Sequence, residues 1–211
     1  MKFAQLIEMT RHLPLFETGL LLSGQVDSGH IRRQLSRWVG AGKVIQLRRG
    51  LYTLAAPFRQ VEPHPFCIAN QMLRGSYVSL QSALAHYGLI PEHVPVTTSV
   101  HTGRPCHWES ALGVFRFQHV SSRLHGGFRI LEIVKGQNAY LAEPEKALLD
   151  LIHLTPGADQ RDWLEELRLQ NFEVLDMARL RELAEQSGKK KQIRAAEVVA
   201  SFALEEEHVA L

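Results

Sequence analysis

The segment 26–53 joins one amphipathic helical pattern to two short β-rich runs. Apolar residues recur at the i, i+4, i+7 and i+8 spacing of a single helix side, at Ile31, Leu35, Trp38 and Val39. Asp27 or Ser28 can cap the start of this helix, and Gly40 and Gly42 end it. Runs at 43–47 and 51–54 follow, joined by a turn at 48–50, which predicts a β-hairpin.

Two further helices are predicted before this segment. Apolar spacing favours a helix over residues 2–13, which Pro14 stops, and a shorter helix over about 16–22, ended by Ser23 and Gly24. Three helices followed by a hairpin within about 55 residues is the order of a winged helix-turn-helix. We therefore expect residues 1–57 to form a domain of that type.

Charge is distributed unevenly along the chain. Residues 1–60 contain nine lysines and arginines against three acidic residues, a net charge of +6, whereas the other 151 residues carry a net charge of −4. Between Ser28 and Thr53 there are five arginines and one lysine but no carboxylate. Such a cluster repels itself unless something anionic is bound, so the first sixty residues are predicted to face a polyanion.

The side of the predicted helix opposite its apolar residues carries side chains of the types that hydrogen-bond to DNA bases and phosphates. Arginine donates two hydrogen bonds to guanine O6 and N7, serine contacts bases or phosphates, and arginines on a hairpin turn can reach a minor groove or a phosphate. Two alternatives are that these residues simply form a solvated surface, or that the winged helix binds a protein. The absence of carboxylates between Ser28 and Thr53 favours DNA binding over both. The candidate DNA-binding residues are His30, Arg32, Arg33, Ser36, Arg37, Lys43, Arg48 and Arg49.

A proline-rich stretch, residues 55–65, predicts a boundary because proline fixes φ and lacks an amide donor. We expect a linker at 58–65 and a second, larger α+β domain at 66–211 with a helical tail. Its predicted strands are 94–101, 113–120, 128–135 and 138–142. Its predicted helices are 66–74, 79–87, 143–154, 160–169, 175–187 and 190–206. In the helix that starts at 143, Glu145 should favour the N-terminal dipole and Lys146 should pair on the surface.

The turn sequence Arg48–Tyr52 (RRGLY) resembles the RGxY wing of AbiEi-type antitoxins, the regulators of type IV toxin–antitoxin, or abortive infection, pairs. Residues 77–105 and 142–154 are similar to the two most recognisable blocks of that family's C-terminal domain, and the likeness spans most of 15–155. The resemblance implies a transcriptional repressor that binds inverted repeats in its own promoter. It also implies that residues 66–211 neutralise a nucleotidyltransferase-like toxin without a stable complex.

An enzyme, such as a nuclease targeted to DNA, is the rival class, and a stand-alone regulator without a toxin is a second alternative. A metal-dependent nuclease needs carboxylates clustered on a strand, whereas the nearest fragment, 143–146, is a helix start. The eleven histidines and two cysteines, including neighbours Cys106 and His107 near His101, His119 and His125, lack metal-site spacing. We expect no catalysis, no cofactor and no metal.

The remaining expectations concern location and the tail. No apolar run approaches the roughly 18 residues that span a bilayer, and Glu8 and Arg11 interrupt the region where a signal peptide needs an apolar core. A cytoplasmic protein without a membrane partner is therefore expected. Lys189–Lys191 is most simply a solvated helix start, with a second contact to DNA as the alternative.

Overall fold

The computed structural model describes residues 1–22 and 27–209, with side chains up to residue 205. The class is mixed α+β, as expected. The helices are α1 (Phe3–Thr10), α2 (Ser28–Gly40), α3 (Pro65–Met72), α4 (Leu80–His86), α5 (Pro144–Leu154), α6 (Arg161–Glu166), α7 (Met177–Ser187) and α8 (Lys190–Val209). The strands are β1 (Phe16–Glu17), β2 (Val44–Arg48), β3 (Leu51–Leu54), β4 (Tyr77–Val78), β5 (Val96–His101), β6 (Cys106–Ser110), β7 (Gly113–His119), β8 (Phe128–Val134) and β9 (Gln137–Ala142). Within the described ranges, no helix combines the length and the apolar character needed to cross a membrane.

Within residues 1–22 and 27–54, strands β1, β3 and β2 form an antiparallel three-stranded sheet in that order, with α1 and α2 packed on it. The helix expected over 16–22 is wrong at its start. Phe16 and Glu17 form β1 and pair with Tyr52 and Leu51, and only Thr18–Leu22 is helical, as a 3₁₀ turn. The extended backbone buries the Phe16 ring and stacks it on Tyr52 at 5.8 Å between centroids. The predicted end of that helix at Ser23 and Gly24 lies outside the described residues.

The second sheet has six strands in the order β6-β7-β5-β4-β9-β8. The pairs β5–β7 and β4–β9 are parallel and the remaining pairs are antiparallel. The predicted strands and helices of this half are present, with ends displaced by a few residues. Strands β4 and β6 were not predicted: the two residues of β4 have no periodicity, and the alternation of half-buried and exposed residues in β6 extends over only five positions.

The hairpin β2–β3 and the chain after it contact both halves. Leu47 and Leu51 belong to the hydrophobic cluster of the second half, whereas Val44 and Leu54 belong to the cluster around α1 and α2. Residues 58–65 are also held in place, since Gln137 Nε2 donates to Glu62 O at 2.8 Å and its Oε1 accepts from His64 N at 2.8 Å. The proposed division at 1–57, 58–65 and 66–211 stays a prediction.

A buried ion pair joins two residues of α5, one helical turn apart. Asp150 is 1% exposed, accepts hydrogen bonds from the Tyr77 hydroxyl at 3.0 Å and the Ser79 hydroxyl at 2.8 Å, and pairs with Lys146. The expected surface pairing of Lys146 is therefore wrong, because residues 144–152 of α5 are all buried. Burial and the neighbouring Asp150 raise the pKa of Tyr77 above its usual range.

Glu145 is buried too, and accepts from the backbone N–H of Asp176 at 2.7 Å, just before α7.

We expect Asp150→Asn to lower the free energy of unfolding by about 3–5 kcal/mol, because it leaves the Lys146 charge buried without a counter-ion. Glu165→Gln is the matched control: it breaks an exposed i,i+4 pair, Arg161–Glu165, and should cost less than about 1 kcal/mol. Urea unfolding of the two variants measures both values. Equal losses in the two variants would contradict the assignment of Asp150 as the counter-ion in the core.

Candidate nucleic-acid interface

The orientation of α2 is fixed by its apolar side. Ile31 and Leu35 are fully buried among Leu6, Phe16 and Leu54, and the Trp38 ring packs on Phe3 with centroids 5.4 Å apart. Asp27 is the residue that caps the helix, since its Oδ1 accepts from Gly29 N at 2.8 Å. The opposite side of α2 consequently faces solvent along its whole length.

That outer side of α2 is cationic and exposed. Its exposed polar residues are His30, Arg32, Arg33, Ser36 and Arg37. Arg33 Nη2 lies 3.7 Å from Asp27 Oδ2, with both side chains about two-thirds exposed, so this pair is weak. Within the described ranges, no carboxylate lies within 4 Å of the charged atoms of Arg32 or Arg37. We call this set the α2 cationic face.

Lys43 extends this positive region beyond the end of α2. The residue is exposed, its backbone N–H donates to Trp38 O at 2.9 Å, and its Nζ lies 5.1 Å from the centroid of the Phe3 ring. This cation–π contact steadies the side chain beside the C-terminal end of α2 without neutralising it.

The two arginines of the hairpin turn lie in different environments. Arg48 is only 29% exposed: its Nη2 donates to the carbonyl oxygen of Gln71 in α3 at 3.1 Å and lies 4.0 Å from Glu17. Glu17 also pairs with Arg74 at 2.8 Å. Arg49 is exposed, and Gly50 takes the positive φ of +86° that the tight turn requires. Arg49 is therefore available to a ligand, whereas Arg48 holds the turn against the second half.

Sequence reasoning did not find Glu17 and Arg74 as partners of the turn. They are 57 residues apart, and neither lies in a recognisable motif. Only the pairing of β1 with β3 brings Glu17 beside Arg48. This is a tertiary contact that no local pattern in the sequence could indicate.

The histidines near Cys106 are engaged with the backbone. His101 Nδ1 accepts from Gly103 N at 3.1 Å, His119 Nδ1 lies 2.9 Å from Gly103 O, and His125 Nε2 lies 3.0 Å from Gly75 O. In the part of the chain that the structure describes, no three His, Cys, Asp or Glu side chains are arranged to hold a metal ion.

Burial raises the pKa of the Cys67 thiol to about 11, and its Sγ contacts Asn138 O at 3.3 Å.

Comparison with known proteins shows a likeness in fold to a solved structure. No protein-family model and no curated protein matches the chain. Among solved structures, the crystal structure of the RV2827C protein from Mycobacterium tuberculosis is similar, with a TM-score of 0.56 and 15% sequence identity. The alignment covers 94% of this chain and 74% of that one. At this identity the likeness concerns the fold alone.

We expect Arg48→Ala to lower the free energy of unfolding by about 1 kcal/mol or more, because it removes a hydrogen bond from a charged donor across the two halves. Arg49→Ala, the neighbouring control, should stay within about 0.5 kcal/mol of the parent protein. Chemical denaturation of both variants gives the comparison. A larger loss for Arg49→Ala would reverse the roles assigned to the two side chains.

Proposed function

We propose that the N-terminal part is a winged helix-turn-helix that binds duplex DNA through the α2 cationic face. The observation that carries this proposal is the exposed set of arginines on α2, directly opposite its buried apolar side. The order of elements supports it: a helix, a short strand, a 3₁₀ turn, the cationic helix and then a hairpin. In this reading α2 is the recognition helix and β2–β3 is the wing.

The dimensions of α2 suit a major groove. Its 13 residues span about 20 Å, and the groove is about 12 Å wide, which admits one helix. Arg33 and Arg37 are one helical turn apart, so at least one of them should reach a base edge. The Asp27 carboxylate holds Arg33 only weakly, and a guanine edge or a phosphate can replace it as the acceptor.

We assign the remaining candidate residues mainly to contacts with the sugar–phosphate backbone of DNA. Exposed Lys43 and Arg49 are suited to phosphates or to a narrow minor groove, where a cation needs no fixed pattern of acceptors. Arg48 is retained as a candidate, but its contacts with Gln71 and Glu17 make its first role the placement of the turn. His30, Arg32 and Ser36 complete the contact surface.

We further propose that the protein is a cytoplasmic autorepressor and antitoxin of a type IV toxin–antitoxin pair. The support is the resemblance of residues 48–52, 77–105 and 142–154 to AbiEi-type antitoxins. Residues 66–211 would counteract a nucleotidyltransferase-like toxin, and no stable complex between the two proteins is expected.

We expect gel shifts with the protein's own upstream DNA at about 10⁻⁸ M or tighter, and much weaker binding to scrambled DNA. Arg33→Ala or Arg37→Ala should cost about 1–3 kcal/mol in specific binding and relax preference at one or two positions. Arg49→Ala should weaken both DNAs by similar factors and lower the salt slope by about 0.9. Arg129→Ala, which removes an exposed arginine from β8, is the control and should bind like the parent protein.

Two results count against this proposal. Equal affinity for native and scrambled DNA removes the claim of specificity. The second result is that Arg33→Ala and Arg37→Ala lose affinity equally for native and scrambled DNA, while Arg49→Ala alters the sequence preference. It would assign base reading to the wing instead of the helix.

The antitoxin proposal is tested by co-expression with the toxin encoded by the adjacent gene. Full-length protein should restore growth, and so should Arg33→Ala expressed from an unrelated promoter, because neutralisation is assigned to residues 66–211. A fragment ending at Arg59 should not restore growth. Rescue by that fragment would place neutralisation in the N-terminal part.

A further inference from the structure

Residues 102–105 connect β5 to β6, and we call them the β5–β6 loop. Two histidines hold this loop at Gly103: Gly103 N donates to His101 Nδ1 at 3.1 Å, and Gly103 O lies 2.9 Å from His119 Nδ1. His101 ends β5 and His119 ends β7, and the two residues are register partners in this parallel pair of strands. Imidazoles on neighbouring strands therefore hold both the N–H and the C=O of one loop residue.

The backbone of the loop lies directly against the His101 ring. A Cβ atom at Gly103 would stand 2.9 Å from His101 Cε1 and 3.0 Å from His101 Nδ1, so a side chain there would displace the imidazole. The other loop residues, Thr102, Arg104 and Pro105, are exposed. The contact with His101 is therefore the place where this exposed loop is built closely onto the sheet.

The two histidine contacts respond differently to a proton. Because Gly103 N–H is a donor, His101 Nδ1 must be unprotonated, and the neutral ring carries its proton on Nε2. Because Gly103 O is an acceptor, His119 Nδ1 carries a proton, and it keeps that proton in the charged ring. Protonation of His119 consequently preserves its contact with the loop, whereas protonation of His101 at Nδ1 removes the acceptor of the Gly103 N–H.

The surroundings of His101 favour its neutral form while the loop is in place. The residue is 8% exposed, and its Nε2 is buried without a hydrogen-bond partner among the described residues, so a charged ring could not satisfy both N–H groups. The groups that act on it are His119 from β7, His125 from the loop 120–127 and the backbone carbonyl of Arg104. Burial lowers the pKa of His101, the Arg104 carbonyl opposes this effect, and the two histidines add to the lowering.

We propose that the β5–β6 loop is a pH-sensitive latch, which is closed while His101 is neutral and opens when His101 is protonated. The proton binds at Nδ1, the hydrogen bond from Gly103 N breaks, and the loop moves away so that water accepts from both ring N–H groups. The stabilisation contributed by the closed latch is complete above about pH 6.5, the pKa of a histidine in open chain, and is lost as the pH falls through the lowered pKa of the folded protein. Opening also moves the exposed Arg104, and this device is independent of the DNA-binding proposal.

Nuclear magnetic resonance of the ¹⁵N-labelled full-length protein between about pH 8 and pH 4.5 tests the latch. We expect the amide signal of Gly103 to shift with a midpoint below about pH 6.5. The backbone order parameters of residues 102–104 should fall over the same range from about 0.85, typical of a rigid backbone, to below about 0.6. The amides of β5 and β7 should stay ordered throughout, because only the loop is released.

Three variants assign the transition to one ring nitrogen. His101→Asn places an amide oxygen where Nδ1 lies and can accept from the N–H two residues on, as in an Asx-turn, but it does not titrate, so the loop should stay ordered at every pH. His101→Phe keeps an aromatic ring and removes the acceptor, so the loop should be mobile at every pH, with thermal unfolding as the check that this variant folds. His107→Asn removes an exposed histidine from β6 and is the control, which should keep the midpoint of the parent protein.

Several results overturn the proposal. If the loop of His101→Asn still opens in acid, the transition belongs to another group, such as His119 or His125. A Gly103 amide that stays unchanged down to pH 4.5, or a loop that remains ordered in His101→Phe, shows that the bond to His101 does not hold the loop. Loss of order in β5 and β7 together with the loop shows acid unfolding of the whole sheet instead of a latch. If His101→Phe does not fold, the comparison of the parent protein with His101→Asn decides the question.

Discussion

The burial of Ile31 and Leu35 determines what the N-terminal part presents to solvent. Each buried aliphatic side chain contributes roughly 1.5–3 kcal/mol, and burying an unpaired guanidinium costs several kcal/mol. Turning α2 by half a revolution about its axis would expose Ile31 and Leu35 and bury the arginines, so only one orientation of the helix is stable. The α2 cationic face is thus a consequence of the core. The proposed function uses a surface that the packing of the helix makes unavoidable.

The hairpin connects that surface to the rest of the molecule. Its two strands supply Val44 and Leu54 to one hydrophobic cluster and Leu47 and Leu51 to the other. Arg48 strengthens this connection, because its half-buried guanidinium donates to the carbonyl oxygen of Gln71. The wing is therefore tied to the second half, and Arg49 at its tip remains the side chain free to meet a nucleic acid.

Periodicity and charge predicted α2, the hairpin, most of the second half and the exposure of the α2 arginines, but not the half-burial of Arg48. They failed where the environment of a residue depends on residues far away in the sequence. Phe16 and Glu17 are extended only because β3, over thirty residues later, offers them a pairing edge. The partner of Lys146 lay four residues away in the sequence, but its burial follows from helices packed around α5.

Amide chemical-shift mapping of the isotope-labelled protein with its upstream duplex shows whether α2 enters DNA. We expect the largest changes at residues 28–37, smaller ones around Lys43 and Arg49, and little change in the core strands of the second sheet. Changes concentrated in residues 66–205, with α2 unaffected, would contradict it.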